Sequence, residues 1–182
     1  MRILRTLATV AAMLAAIVSP AFADLDDILS SGKIRIGTDV GSPPWGTTDA
    51  DNQPSGGDIW IAKKIAEDLG VEYEMVPTTV ANRIPYLQTN QVDLVISSFA
   101  ITPERAKVVN FSNPYGYSAG ILFGRADVKI SEPEDMLNYR IGVTRGSTLE
   151  KGLVRMVPGL EPIRFDDDAS AGAALRAGPV DA

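Results

Sequence analysis

Past the first two dozen residues, apolar positions fall into two rhythms. Lys33 to Thr38 (KIRIGT) alternates apolar and polar residues and predicts a strand that ends at Asp39. Asp58 to Leu69 places Ile61, Ile65 and Leu69 four apart, with Ala62 and Ala66 beside them and Lys63, Lys64, Glu67 and Asp68 turned away. That is an amphipathic helix, and Gly70 stands where a left-handed residue would end it. Val71 to Val76 predicts a second strand, Asn82 to Leu87 a short helix and Val92 to Ile96 a third strand. Between them, Gly41 to Gly46 (GSPPWG) is a turn-rich loop with one aromatic, and Asp49 to Gly57 is a polar surface turn. Three strands joined by right-handed crossovers make one small doubly wound lobe.

Gly120 to Phe123 is apolar and extended, and the pattern then restarts. Lys129 to Asp135 is charged and carries Pro133, so a lobe boundary is expected near Phe123 to Arg125, with residues 24–123 in the first lobe and 124–182 in the second. Arg140 to Val143 predicts a strand. Ser147-Thr148-Leu149-Glu150 has the form of a capping box at a helix start. Glu161 to Phe165 reads as a further strand, Ala169 to Ala177 as a helix, and Val180-Asp181-Ala182 as the first residues of another strand. The alternation predicts an α/β fold with mainly parallel strands. No short internal repeat and no low-complexity tract is evident.

The first 23 residues stand apart. Arg2 and Arg5 give a basic start, Leu7 to Val18 is almost wholly apolar, and Ala21-Phe22-Ala23 is a small-x-small cleavage site. The apolar run is short for a membrane span. A cleavable export signal is expected, the alternative being an uncleaved anchor. The chain has 17 Lys+Arg and 23 Asp+Glu, net −6; losing Arg2 and Arg5 leaves 15 against 23, net −8. So acidic a chain is a poor partner for nucleic acid. With no Cys and no His, disulfides, thiolate or His-ligated metal sites and Ser-His or Cys-His catalysis are excluded from this sequence. No metal or cofactor is expected.

The stretch richest in chemical signals is Val92 to Arg105. A buried strand gives way to Ser97 and Ser98, and Thr102-Pro103-Glu104 then supplies an N-cap, a first-turn proline and a first-turn acid. Arg105 breaks the pattern, because a guanidinium in a first turn opposes the helix dipole unless an anion is bound there. The arrangement describes a carboxylate or phosphate site at the carboxyl end of a strand. The alternative is a surface arginine paired with Glu104 or another acid. Gly142-Val143-Thr144-Arg145-Gly146, followed by the capped helix at Ser147, offers a second such turn. Asp39 ends the first strand on the same rim, either as acceptor for a cation or as a turn cap. Arg145 reads as a solvated loop arginine.

These stretches, in this order, resemble the periplasmic solute-binding proteins of ABC importers, in the polar amino acid branch. The matching segments are Ile34–Asp39, Gly56–Gly70, Asn82–Leu87, Val92–Val95, Thr102–Arg105, Phe111–Tyr115 and Ile141–Thr148. The resemblance implies a two-lobed periplasmic-binding-protein architecture of type II, each lobe a small mainly parallel sheet flanked by helices. It implies a monomer that binds a polar amino acid between its lobes and delivers it to a membrane permease. Arg105 resembles the arginine that holds the ligand's α-carboxylate. Ser97, Ser98 and Ala100 fall on the loop whose backbone and hydroxyl groups hold the amino and carboxylate groups. Thr144, Ser147 and Thr148 fall on the second-lobe contact, and Asp39 matches an acid near the ligand side chain. Ser42 and Val80 stand where aromatics are common, Trp45 is a candidate to compensate, and Ala100 lacks a frequent hydroxyl, which together imply a wider or less aromatic pocket. Gly57 and Trp60 also depart from the family's usual aromatic and acidic positions. Relatives run on past Ala182, so the second lobe is expected to be incomplete and the usual ammonium-pairing acid to be missing. Two other functions remain open at this stage: a dehydratase of a cyclic carboxylic acid on the same scaffold, and the sensing module of a receptor.

Overall fold

A computed structural model describes residues 25–182. The expected export signal lies outside these residues. The chain opens with helix α1 (Leu25–Ser31), which the apolar pattern did not reveal, and which sends Ile28 into the core. Strand β1 (Lys33–Thr38) has the expected bounds. Thr47–Thr48 (β2) and Pro54–Ser55 (β3) pair antiparallel, so the expected surface turn is a small hairpin. Helix α2 (Gly57–Leu69) ends as predicted: Gly70 adopts φ 69° and its N–H reaches the Ala66 and Glu67 carbonyls. Strand β4 (Glu72–Pro77), helix α3 (Arg83–Gln88) and strand β5 (Leu94–Val95) follow.

The first sheet has the order β4-β1-β5, all parallel. β1 is central and is paired along both edges. Ile34 and Ile36 pack with Ile28, Ala62, Ala66 and Ile96 in one buried cluster, with Ile65 and Leu69 of α2 against it. The period-four apolar stripe of α2 is thus the face laid on the sheet. β5 is shorter than the apolar run Val92–Ile96, because only Leu94 and Val95 find ladder partners on β1.

Beyond β5 the expected helix after Thr102 is a single 3-10 turn, Arg105–Lys107. Thr102 does cap it, its hydroxyl accepting from the Arg105 N–H at 3.2 Å. Two β-branched residues, Val108 and Val109, and then Asn110 to Pro114 leave no run of helix formers to extend the turn. Residues 110–125 carry no regular hydrogen-bonded structure. Tyr117, Ile121 and Phe123 are exposed along this crossing segment, so the extended Gly120 to Phe123 stretch is not a paired strand.

The second unit has a 3-10 helix at Pro133–Asn138, strand β6 (Gly142–Thr144), helix α4 (Thr148–Met156), strand β7 (Ile163–Phe165) and helix α5 (Asp168–Ala177). β6 and β7 are parallel. The Gly142 N–H donates to the Ala182 carbonyl at 2.8 Å and the Asp181 N–H to the Arg140 carbonyl at 2.8 Å, so Val180 to Ala182, expected to open a strand, lies beside β6 without forming a strand among the described residues. Met136, Ile141, Val157, Leu160 and Ala182 form its buried cluster.

Candidate functional site

The loops at the carboxyl ends of β1, β4 and β5 face the turns after β6 and β7. Contacts cross between them at three points. The Ala169 N–H donates to the Gly41 carbonyl at 2.9 Å. Arg105 Nη2 donates to the Gly146 carbonyl at 3.1 Å. Gly146 lies 3.5 Å from the Ala81 backbone, measured from where its Cβ would stand. Gly41 is required by this approach, since a Cβ there would sit 2.5 Å from the Asp167 side chain.

Arg105 stands at the junction and is buried. Its Nη1 donates to the Ala100 carbonyl at 2.8 Å, and its guanidinium lies 4.8 Å from the Phe99 ring centroid. Among the described residues no acid pairs with it, Glu104 included. Burial alone pushes its pKa down from the usual arginine value. A buried guanidinium held by carbonyls with no counter-charge favours an anion beside it, and a carboxylate fits its planar fork. The turn that carries it is too short for a helix dipole, so the guanidinium itself carries the anion affinity.

Asp39 is buried and its acceptors are used within the first unit. Oδ1 accepts from the Gly41 N–H at 2.6 Å, and Oδ2 from the Ser42 hydroxyl at 3.0 Å and from Arg83 Nη2 at 3.4 Å. It therefore caps its turn and also faces a cation, which is Arg83. Ser42 closes the Gly41–Gly46 loop through backbone bonds to Trp45 and Gly46. Trp45 is half-buried, edge-on to Tyr115 at 6.3 Å, and lies over Gly116, where a Cβ would meet its ring at 2.6 Å. Val80 is half-buried in the loop after β4, next to the Ala81 that Gly146 approaches.

Ser97 is buried and its hydroxyl has no partner among the described residues. Ser98 has φ 42°, rare for a side-chain-bearing residue, and its N–H donates to Asp58 Oδ2 at 2.6 Å. In the second unit Thr144 is buried and its hydroxyl bonds Asp168. Ser147 caps α4, accepting from the Glu150 N–H at 3.0 Å. The reciprocal half of the expected capping box is displaced by one residue: Glu150 accepts from the Gly146 N–H at 2.6 Å. Thr148 is exposed and Arg145 is an exposed loop residue, 3.8 Å from Asp166.

Two residues of this region were missed. Arg83 is buried, its Nε has no partner among the described residues, and its guanidinium lies 5.6 Å from the same Phe99 ring that Arg105 covers. Burial pushes its pKa down and Asp39 pushes it up. The signal was present, since a first-turn arginine at the head of α3 raises the question Arg105 raised. Asp58, in the first turn of α2, is buried and takes the Tyr115 hydroxyl at 2.8 Å as well as the Ser98 N–H. Burial raises its pKa against those two hydrogen bonds. In the sequence it is one more residue of the helix, with no signal of its own.

A cavity of about 850 Å³ overlaps this region only in part. It follows β5 and the crossing segment, lined by Trp45, Leu94, Phe99, Phe111 and Tyr115, and includes Ser98 and Ala100 but not Arg105, Asp39, Thr144, Ser147 or Thr148. It is an open apolar groove of the first unit, beside the interface between the units.

The sequence profile of the bacterial extracellular solute-binding proteins, family 3, matches residues 34–173. The chain belongs to this family. It is 29% identical over 177 residues to the L-cystine-binding protein TcyJ of Escherichia coli, covering 94% of this chain and 66% of that one. It is 30% identical over 152 residues to the L-arginine-binding protein of Pseudomonas aeruginosa, covering 82% and 59%. Among solved structures it superposes with a TM-score of 0.78 on an ancestral amino acid-binding protein described as a precursor of cyclohexadienyl dehydratase, at 38% identity, covering 86% of this chain and 71% of that one. The chain thus spans about two thirds or less of the length of these two named relatives. As a family 3 solute-binding protein it has the two-lobed periplasmic-binding-protein fold: the β4-β1-β5 sheet is the core of lobe 1 and the β6-β7 sheet that of lobe 2.

Proposed function

We propose that the protein binds a polar amino acid between its lobes in the periplasm and passes it, as a monomer, to the permease of an ABC importer. The lobes divide near Phe123 to Arg125, residues 24–123 forming the first and 124–182 the second. The observation that carries the reading is the buried, uncompensated guanidinium of Arg105, held by one carbonyl from each side of the junction. Arg105 takes the α-carboxylate. Ser97, Ser98 and Ala100 supply hydroxyl and carbonyl groups toward the ammonium, and Thr144, Ser147 and Thr148 close from lobe 2. Asp39, with Arg83 behind it, faces the ligand side chain, and Ser42, Trp45 and Val80 form the wall. Closure follows from contacts the ligand makes to both lobes at once.

A catalytic reading draws on the resemblance to a dehydratase precursor. It requires a carboxyl or amine free to move a proton. Asp58 is the buried carboxyl with a raised pKa, but both its oxygens are engaged by Ser98 and Tyr115. Asp58 so engaged does not favour the catalytic reading, and the buried Arg105 guanidinium supports the binder. Calorimetric titration with each of the twenty amino acids and with a prephenate-like acid tests it. Micromolar binding of one or a few polar amino acids, with no turnover of the cyclic acid, is expected. Turnover of the cyclic acid would replace the reading.

A further inference from the structure

One oxygen of the Asp58 carboxylate takes the backbone N–H of Ser98, on the ligand loop, and the other takes the Tyr115 hydroxyl, on the crossing segment. We infer that Asp58 is a positioning residue: it ties the ligand loop at Ser98 and the crossing segment at Tyr115 to one carboxylate, so that the geometry of the two segments changes together. The inference rests on the amino acid-binding reading above for its effect on affinity, but not for the coupling itself.

The geometry is specific. Asp58 is about 1% exposed. It lies in the first turn of α2, where a negative charge is favoured. Oδ2 takes the Ser98 N–H at 2.6 Å and Oδ1 the Tyr115 hydroxyl at 2.8 Å. Ser98 occupies a left-handed conformation that costs on the order of 1 kcal/mol or more and persists only when its surroundings hold it. Two residues on, the Ala100 carbonyl positions Arg105. On the other side, Tyr115 meets the edge of Trp45, the next residue Gly116 lies beneath that indole, and the Asp58 N–H donates to the Trp45 carbonyl at 2.8 Å. The ligand loop, Trp45 and the crossing segment therefore converge on one buried acid. A buried carboxylate left without either donor is costly, so the two bonds are mutually dependent. Burial, followed by the charge of Asp58, pushes the Tyr115 phenol well above its ordinary value, with Arg83 opposing.

Asp58→Asn and Tyr115→Phe test the inference through three readouts: amino acid affinity, hydrogen exchange of the Ser98 amide and of residues 110–125, and ultraviolet titration of the tyrosines. Asp58→Asn is expected to weaken binding about tenfold or more, to speed Ser98 exchange at least tenfold, and to bring the ionisation of one tyrosine to lower pH. Tyr115→Phe is expected to speed exchange across residues 110–125, to weaken binding about threefold, and to remove that tyrosine from the titration. If Asp58→Asn fails to fold, the segment exchange and affinity of Tyr115→Phe decide. Binding within twofold of the parent in both variants overturns the inference. So does an Asp58→Asn protein that melts lower while its Ser98 exchange and tyrosine titration stay unchanged, the mark of a role in α2 alone. If the parent binds no amino acid, the ligand reading fails, and the exchange and titration results still decide the coupling.

Discussion

The two lobes begin their sheets with the same joint and then diverge. In lobe 1 the Arg35 N–H and Nε both donate to Asp93 Oδ2, at 2.8 and 3.1 Å, and Nη1 reaches the Asn90 carbonyl. In lobe 2 the Arg140 N–H and Nε donate to Asp181 Oδ2 at 2.9 and 3.0 Å, and Nη2 reaches the Gly178 carbonyl. Asn90 and Gly178 both have positive φ, and each stands three residues before its aspartate. The joint fixes where a strand enters beside β1 or beside β6, and it is shared because both lobes need the same register. What the lobes add differs. Lobe 1 buries two arginines, Arg105 with no acid paired to it and Arg83 with its Nε unpartnered among the described residues. In lobe 2 the polar groups facing the junction are committed: Thr144 to Asp168, Ser147 and Glu150 to the cap of α4. On the proposed reading, lobe 1 reads the ligand's charge and lobe 2 closes over it.

If that division holds, substitutions should rank accordingly. Arg105→Lys, which keeps the charge and loses the planar fork, should weaken binding about 100-fold, roughly 2.7 kcal/mol; calorimetry measures it. Gly41→Ala should weaken binding about tenfold while leaving ligand-free melting near the parent's, because the added Cβ collides with Asp167 only when the lobes meet. Solution scattering should then show the ligand-bound variant as more open than the parent. Ser147→Ala should cost about 1 kcal/mol of stability through the lost cap, whereas Thr148→Ala should leave the melt unchanged, and both should weaken binding severalfold. Arg145→Ala should change affinity less than twofold, since this residue is exposed and 3.8 Å from its nearest acid.

The joint of lobe 2 also answers pH. Asp181 takes a second arginine, Arg125 at 2.8 Å, from the crossing segment. Hydrogen bonds from Arg140, with its charge and that of Arg125, hold the Asp181 carboxyl far below the usual carboxylate range. A carboxylate depressed on folding contributes stability above its unfolded pKa of about 3.9, and that contribution is lost as pH falls below it toward the folded value. Lobe 2 should therefore lose hydrogen-exchange protection on acidification from about pH 5 downward, and Asp181→Asn should flatten that dependence.

Much of this was legible before the fold was known. The alternation in KIRIGT gave β1 its bounds, the four-residue apolar steps gave α2, and Gly70 and Ser147 marked helix ends through local chemistry alone. The misses are tertiary. Val92 to Ile96 is strand-like throughout, but ladder length depends on what β1 offers, and only two residues pair. Thr102 announced a helix that Val108-Val109 and the following turn residues stop after one 3-10 turn. Asp58 looks like an ordinary first-turn acid, and although a first-turn arginine at Arg83 is itself a signal, the burial of either charge depends on the segments that fold over it. The paired joints escaped notice because their arginines and aspartates are 58 and 41 residues apart, with no shared spacing to find.

The central claim is that Arg105 receives the ligand's α-carboxylate. Its most direct test changes both partners at once: the affinity of the parent and of Arg105→Ala for the bound amino acid and for its α-carboxamide. The parent should prefer the free acid by about 100-fold, roughly 2.7 kcal/mol, and Arg105→Ala should lose nearly all of that preference. An Arg105→Ala protein that still discriminates acid from amide as the parent does, or that binds the acid within a few-fold of the parent, would contradict the account.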